Sequence, residues 1–236
     1  MLMKYPTFLD NLSLVTYTHS KCVDLHEAYF GRIKKYFPEL QHNYVTSNQQ
    51  TDYGTCLVYS DTESHSSQML NILKVIPTDY LIYSQEDYIL FNRVNINELE
   101  KAIKVLDTDY TVGFIRLIHS GLGADPSRSY DSTYNYIDKS STYYYSTQIT
   151  LWRKTVMQQM FEASKVMSIF DEPYNSPFLK QLNIEGLYEK KRGDRVGGHY
   201  NSYTYPYIAT AKVKGKWNMQ EYAKEIEKIK LDYNIN

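Results

Sequence analysis

Two adjacent carboxylates, Glu86 and Asp87, follow a short apolar run of residues that favour strands. The run from Tyr80 to Tyr83 predicts a buried strand, so the acids come where the chain leaves the sheet. Ligands of open α/β sheets bind at this end of the strands. Such a pair suits Mn²⁺ or Mg²⁺, which take one or two carboxylates and complete their shells with water and phosphate oxygens. An exposed acidic turn is the alternative interpretation.

The elements that must position these acids alternate in type along the first half of the chain. Hydrophobic spacing predicts strands at 12–17, 44–47, 56–59, 80–83 and 112–117, and helices at 25–36, 66–75 and 96–106. Asn95 is a predicted N-cap of the third helix. This alternation predicts an α/β, Rossmann-like fold with a mostly parallel central sheet flanked by helices.

The second half of the chain is less regular. A polar, tyrosine-rich loop is predicted from Ile118 to Tyr145. Helices are predicted near 155–165 and from Ser176, a strand at 205–213, and a C-terminal helix capped by Asn218. No linker or charge run divides the 236 residues, so we expect one domain.

Tyrosine is overrepresented, with 25 copies against 8 phenylalanines. Six tyrosines lie between 130 and 145 among Ser, Thr, Asn and Asp. Flat apolar rings with hydroxyl groups suit sugar rings, nucleobases or a protein partner. The alternative is a compositional bias, with a loop that simply packs on the domain.

Composition and missing motifs exclude several classes of function. A net charge of −1 argues against general nucleic-acid binding, and no apolar run approaches the roughly 20 residues of a membrane span. Two cysteines, Cys22 and Cys56, fit a reducing compartment, so we expect a cytoplasmic protein. Scattered histidines disfavour a zinc site, and the serine-hydrolase, dinucleotide and P-loop signatures do not occur.

Four segments in order, between about Leu12 and Trp217, resemble a family of small glycosyltransferase-like proteins with a GT-A fold. They are S-S-Q-M-L-N-I-L-K-V-I-P-T-D-Y-L-I-Y-S-Q-E-D-Y-I-L, V-G-F-I-R-L-I, Y-S-T-Q-I-T-L-W-R-K and Y-P-Y-I-A-T-A-K-V-K-G-K-W. The resemblance implies a nucleotide-binding part at about 1–118 and an acceptor-side part at about 119–236.

The resemblance also implies site residues. Glu86 and Asp87 stand where the family carries D-x-D, so they would face the diphosphate of a UDP- or GDP-sugar, directly or through Mn²⁺ or Mg²⁺. Tyr88 occupies the place of a third acid, which weakens the case for metal dependence. The nucleotide would be held by residues at the ends of the first two strands and on the following helix. These are Thr16, Tyr17, Asn48 and Gln68.

A general base and positive charge complete the implied site. The resemblance favours Glu185 as the base that takes the acceptor proton, with Asp171 and Glu172 as runners-up. Residues offered for the leaving diphosphate are Arg116, Arg192, Arg195, His199, Lys214 and Lys216. Arg116 lies within an apolar strand and needs a partner, for which Asp87 on an adjacent strand end is a candidate.

The sequence therefore predicts a glycosyltransferase that moves a sugar from a nucleotide-sugar to an acceptor hydroxyl in glycan assembly. A nucleotidyltransferase shares the fold type and the use of acidic metal ligands, and would consume a nucleoside triphosphate. A non-catalytic glycan-binding or scaffold protein with the same fold is a further alternative, favoured by the missing third acid.

Overall fold

The computed structural model describes residues 6–119, 123–164, 168, 175–193 and 201–235. Strands β1 to β13 span Leu12–Tyr17, His42–Ser47, Thr55–Val58, Tyr80–Gln85, Ile89–Leu90, Val112–His119, Ala124–Ser129, Tyr134–Ile137, Thr150–Arg153, Glu185–Glu189, Tyr207–Ile208, Lys212–Val213 and Lys216–Trp217. Helices α1 to α6 span Val23–Tyr36, His65–Val75, Ile96–Thr108, Lys154–Ala163, Ser176–Gln181 and Met219–Tyr233. None of these helices is long and apolar enough to cross a membrane.

Nine strands form one sheet in the order β3-β2-β1-β4-β9-β6-β10-β8-β7. β1 pairs in parallel with both β2 and β4, and β6 pairs in parallel with β10. β9 runs antiparallel between β4 and β6, and β8 runs antiparallel to β10. The predicted α/β, Rossmann-like class with a mostly parallel sheet flanked by helices is confirmed.

The strand order reverses beside β1. The chain runs outward from β1 to β2 and β3, and then returns to place β4 on the other side of β1. The connections after β1 and β4 therefore lead away in opposite directions along the sheet, and the carboxyl ends of strands at such a reversal are where open α/β sheets bind ligands.

Helices cover both faces of the sheet, so its central strands are apolar on both sides. On one face α1, α3 and α6 pack with Leu14, Ile82 and Ile115 in a single buried cluster. On the other face α2, α4 and α5 pack with a second cluster that includes Leu81 and Phe114. Alternate residues of one strand thus enter different cores, as the twofold repeat of a strand requires.

The structure corrects the prediction for the second half of the chain. The predicted loop from Ile118 to Tyr145 contains β7 and β8, and β9 and β10 were not predicted. The predicted strand at 205–213 divides into β11 and β12, which belong to two small separate sheets. Asn218 precedes α6, but its side chain makes no capping hydrogen bond.

Three of the six clustered tyrosines lie in the interior. Tyr134, Tyr144 and Tyr145 are each at most 1% exposed, and they pack in the two buried clusters. The Tyr144 hydroxyl donates to the carbonyl oxygen of Ile184 at 2.5 Å. The structure therefore favours packing over a broad tyrosine-lined binding surface in this segment.

Gly186 allows β10 to lie close to β6. A Cβ atom at this position would stand 2.2 Å from Cζ of Phe114, well inside van der Waals contact. We expect Gly186→Ala to lower the free energy of unfolding by about 1–3 kcal/mol, because the added methyl group overpacks the core. Urea denaturation measures this difference.

A double-mutant cycle with Phe114→Leu provides the control. The smaller side chain removes the ring that the added methyl group would strike, so the double variant should be more stable than the sum of the two single effects predicts. Strict additivity would show that the Phe114 ring is not the cause.

Candidate functional site

The candidate site lies at the reversal of strand order, where Tyr17 of β1 is paired in register with Gln85 of β4. We call it the switch crevice, and it comprises residues 17–20 at the carboxyl end of β1, 47–48 at that of β2 and 85–87 at that of β4. This register places the turn after β4 directly beside the turn after β1. The two predicted acids therefore stand where open α/β sheets bind ligands.

A chain of buried hydroxyl groups ties the floor of the crevice together. The Tyr29 hydroxyl donates to Ser84 Oγ at 2.7 Å and lies 3.0 Å from Thr16 Oγ1. Tyr29 comes from α1, Thr16 from β1 and Ser84 from β4, so one side chain connects all three elements. Thr16, predicted to bind the nucleotide, is fully buried, and its hydroxyl contacts that of Tyr29 in this series of buried hydroxyl groups.

Asp87 presents a buried oxygen atom with no hydrogen-bond partner, its Oδ1. Its backbone carbonyl accepts from the amide of Ala211 at 2.9 Å, and the amide of Tyr88 donates to the carbonyl of Gln85 at 3.0 Å. Burial, and secondarily the charge of Glu86, raises the pKa of Asp87 to about 8. The backbone is thus fixed on both sides of a carboxyl group for which only its own backbone amide opposes the effect of burial.

Glu86 is buried, and its carboxylate has hydrogen-bond partners. Burial raises its pKa, and hydrogen bonds from the side chains of Cys22 and Thr18 oppose that rise. Burial and the Glu86 carboxylate together raise the pKa of the Cys22 thiol to about 12. Glu86 therefore contacts the turn after β1, which leaves Asp87 as the acid with an available oxygen.

The residues of the crevice fit a cation that is shared with a ligand. Within the described ranges no three His, Cys, Asp or Glu side chains are grouped so that they could hold a metal ion. The unpartnered Oδ1 of Asp87 supplies one carboxylate ligand, and Glu86 lies beside it. Mn²⁺ or Mg²⁺ bound there would need water and phosphate oxygens to complete its shell.

Tyr17 and Gln68 form one side of the crevice. The Tyr17 hydroxyl donates to Gln68 Oε1 at 2.7 Å, and Gln68 Nε2 donates to the carbonyls of Ser60 and Glu63 at 3.2 and 3.1 Å. The Tyr17 ring stacks on that of Tyr59, with the centroids 5.4 Å apart. Gln68, predicted to touch the nucleotide, therefore fixes Tyr17 and the loop before α2.

Asn48 belongs to a polar cluster with two residues that the sequence did not single out. Asn48 Oδ1 accepts from the amide of Ser20 at 2.8 Å, and its Nδ2 donates to Asp61 at 3.2 Å. His19 Nε2 lies 3.2 Å from Asp61 Oδ1. Applying the carboxyl-end rule to the residues just after β1 would have identified His19.

Arg116 lies elsewhere in the sheet. β9 separates its strand, β6, from β4, so the prediction that Asp87 ends an adjacent strand is wrong. Arg116 Nη2 donates to the carbonyls of Tyr143 and Tyr144 at 2.8 and 3.2 Å. The guanidinium thus holds the segment that leads into β9.

Glu185 and Asp87 lie at opposite ends of the parallel strands: Glu185 is at the amino end of β10, and Asp87 follows the carboxyl end of β4. It begins β10 and is in register with Val112, the first residue of β6. A strand rise of about 3.3 Å per residue places the two acids roughly 20 Å apart. Glu185 pairs with Lys139 at 2.9 Å and Arg128 at 3.8 Å. The structure does not bring this predicted base to the switch crevice.

The remaining predicted residues are distributed as follows. Asp171, Glu172, Arg195 and His199 lie outside the described residues, Arg192 is exposed after β10, and Lys214 and Lys216 belong to the hairpin of β12 and β13.

Comparisons with known proteins do not assign this chain to a family. No protein-family model matches it, and no curated protein does. Among solved structures it is similar to a CMP:2-keto-3-deoxy-manno-octonic acid synthetase complexed with CTP, at 14% identity and a TM-score of 0.48 over 75% of this chain and 88% of that one. Likeness of this degree does not assign a function.

Two further structures illustrate the same level of likeness. A cytidylyltransferase from Leptospira borgpetersenii is 10% identical, with a TM-score of 0.48 over 95% of this chain and 96% of that one. Residues 1–349 of S. aureus TarS are 13% identical, with a TM-score of 0.49 over 94% of this chain and 65% of that one.

The raised pKa of Asp87 predicts a pH-dependent stability. The folded protein keeps this proton up to about pH 8, whereas the unfolded chain releases it near the ordinary value of 3.8. The unfolded state thus binds fewer protons across that window, and stability contributed by this group falls as pH rises. We expect Asp87→Asn, which does not ionise, to gain stability relative to the wild type from pH 4 to pH 8.

Calorimetric scans in a chelating buffer measure this gain. A difference of about 1 kcal/mol moves the melting temperature of a domain of this size by about 2–4 °C. Asp79→Asn is the control, because Asp79 precedes the other end of the same strand and is exposed. Parallel melting curves for Asp87→Asn and the wild type would contradict the assignment.

Proposed function

We propose that this chain is a transferase that binds a nucleotide-activated sugar in the switch crevice and passes the sugar to an acceptor hydroxyl. The observation that carries the proposal is the buried, unpartnered Oδ1 of Asp87 beside Glu86, at the reversal of strand order. A buried carboxylate oxygen without a partner is costly, so its presence there supports a binding role.

The charge of the crevice supports a diphosphate bound together with a cation. Two adjacent carboxylates repel a phosphate, and a divalent cation held by Asp87 reverses that repulsion. When bound, such a cation neutralises the charge that develops on a departing nucleotide diphosphate. Asp87 would hold the cation, and Glu86 would remain anchored to Thr18 and Cys22.

The nucleoside would lie toward β1 and β2. Tyr17 is fixed by its stack on Tyr59 and by its hydrogen bond to Gln68, so its position is set before a ligand arrives. Asn48 and His19, which share Asp61 as a partner, border the same side. Preformed polar and aromatic groups of this kind orient a ligand at little entropic cost.

A thermal-shift experiment with nucleotide diphosphates tests the proposal. We expect UDP or GDP with Mn²⁺ to raise the melting temperature of the wild type by roughly 5–10 °C at a hundredfold excess over Kd. The shift should be much smaller without Mn²⁺, and Asp87→Asn should abolish the effect of the cation. Asp79→Asn should respond as the wild type does.

The same samples distinguish the other classes of function. Release of the nucleotide diphosphate from a UDP- or GDP-sugar supports sugar transfer, and release of pyrophosphate from a nucleoside triphosphate plus a sugar phosphate identifies a nucleotidyltransferase instead. Equal shifts in the wild type and Asp87→Asn, or no response to any nucleotide, would contradict the proposed site.

A further inference from the structure

Three neighbouring strand ends each contribute a residue to the polar cluster beside the switch crevice. His19 follows β1, Asn48 follows β2 and Asp61 follows β3. The three strands are adjacent and parallel, so their carboxyl ends lie at one edge of the sheet. The side chain of Asp61 is 60% exposed and that of His19 is 27% exposed. A ligand can therefore reach the Asp61 carboxylate from solvent.

The side chains of His19 and Asn48 orient the Asp61 carboxylate. His19 Nδ1 accepts from the amide of Lys21 at 3.0 Å, so the proton of the neutral ring is on Nε2. Nε2 and Asn48 Nδ2 lie 3.1 Å apart, and they donate to Asp61 Oδ1 and Oδ2, each at 3.2 Å. The Asn48 amide is itself oriented, because its Oδ1 accepts from the amide of Ser20.

The loop that carries Asp61 is held as well. The amide of Glu63 donates to the carbonyl of Ser60 at 3.0 Å, which closes a turn that contains Asp61. Gln68 Nε2 donates to the carbonyls of Ser60 and Glu63, on both sides of Asp61. A carboxylate whose backbone and side chain are both held in place binds a ligand at a low entropic cost.

The acceptor capacity of Asp61 favours a ligand with two adjacent donors. An ionised carboxylate only accepts hydrogen bonds, and each of its oxygens has two lone pairs. Among the described residues one hydrogen bond reaches each oxygen, so each oxygen can accept one more. The 2′ and 3′ hydroxyls of ribose, on neighbouring carbon atoms, are such a pair of donors, and carboxylates bind ribose hydroxyls in dinucleotide sites.

Asp61 lies close to the acids after β4 that would adjoin the diphosphate. Burial raises the pKa of Glu86, and the charge of His19 is among the interactions that oppose this rise. Burial, and secondarily the charges of Asp61 and Glu86, raises the pKa of Tyr17. The two carboxylates thus act on the same phenol group. Ribose is the uncharged group next to the diphosphate of a nucleotide, whereas the base lies further away, so ribose suits this position.

We propose that Asp61 determines the specificity of the switch crevice for ribonucleotides, by accepting hydrogen bonds from the 2′ and 3′ hydroxyls of the ribose. His19 and Asn48 are positioning residues that orient its carboxylate. The inference rests on the proposed function for the presence of a nucleotide, but the preference for ribose over deoxyribose is measured separately from nucleotide binding itself.

Calorimetric titration measures this preference. The probes are UDP, GDP and their 2′-deoxy forms, each added with Mn²⁺ present. We expect the wild type to bind at least one ribonucleoside diphosphate roughly tenfold more tightly than its 2′-deoxy form, because a hydrogen bond to a charged group is lost. Asp61→Ala should bind the two forms equally, and the ribose form roughly tenfold more weakly than the wild type does.

Three further variants define the result. Asp52→Ala is the matched control, because Asp52 is exposed and precedes the other end of β3, and it should keep the preference of the wild type. Asp61→Asn keeps one acceptor oxygen and should retain part of the preference. Asn48→Ala removes one of the hydrogen bonds that orient the carboxylate, so it should also retain only part of the preference.

The outcomes separate this inference from the proposed function. Equal affinities of the wild type for the ribose and 2′-deoxy forms would overturn the inference alone, and so would a ribose preference that is unchanged in Asp61→Ala. A preference between GDP and UDP that disappears in Asp61→Ala, with no preference for ribose, would place the carboxylate at the base and overturn it as well. No binding of either diphosphate by the wild type would instead contradict the proposed function.

Discussion

Burial of the Asp87 Oδ1 atom is the constraint on which the candidate site depends. Its Oδ1 is removed from water and has no partner, and the neighbouring Glu86 adds repulsion. Such a group is stable only when it is protonated or when a cation compensates its charge. The Ala211 amide holds the backbone of Asp87, and the Tyr29 hydroxyl ties Ser84 of the preceding strand to α1.

The position of the acids was predictable, because it follows from local pattern. An apolar run followed by Glu86 and Asp87 is a strand end in any sheet of this class, and the helical periodicity of α1, α2 and α3 identified the class. The polar cluster of His19 and Asp61 was not found, because it is assembled by residues from separate turns.

The arrangement of the second half was not predictable from local pattern. β9 has only the four residues Thr150–Arg153, which are too few to show a period, yet it separates β4 from β6. The resemblance favoured Glu185 as the general base, and the local pattern did not show that this residue begins a strand. Only the register of β10 with β6 shows that Glu185 lies at the amino ends of these strands, whereas Asp87 follows the carboxyl end of β4.

The large number of tyrosines has a structural explanation in the described residues. Tyr29 links α1 to two strands, Tyr17 links β1 to α2, and Tyr144 anchors the segment before β10. Each ring fills apolar space while its hydroxyl joins two elements, which a phenylalanine does not achieve. These three tyrosines therefore cross-link elements of the fold.

Paramagnetic broadening by Mn²⁺ locates the cation most directly. In a backbone amide spectrum recorded with UDP, our account predicts that substoichiometric Mn²⁺ broadens the signals of Thr18, Glu86 and Asp87 and leaves those of Val112 and Glu185 sharp. Broadening at the Glu185 edge, or equal broadening across the chain, would contradict a cation site in the switch crevice.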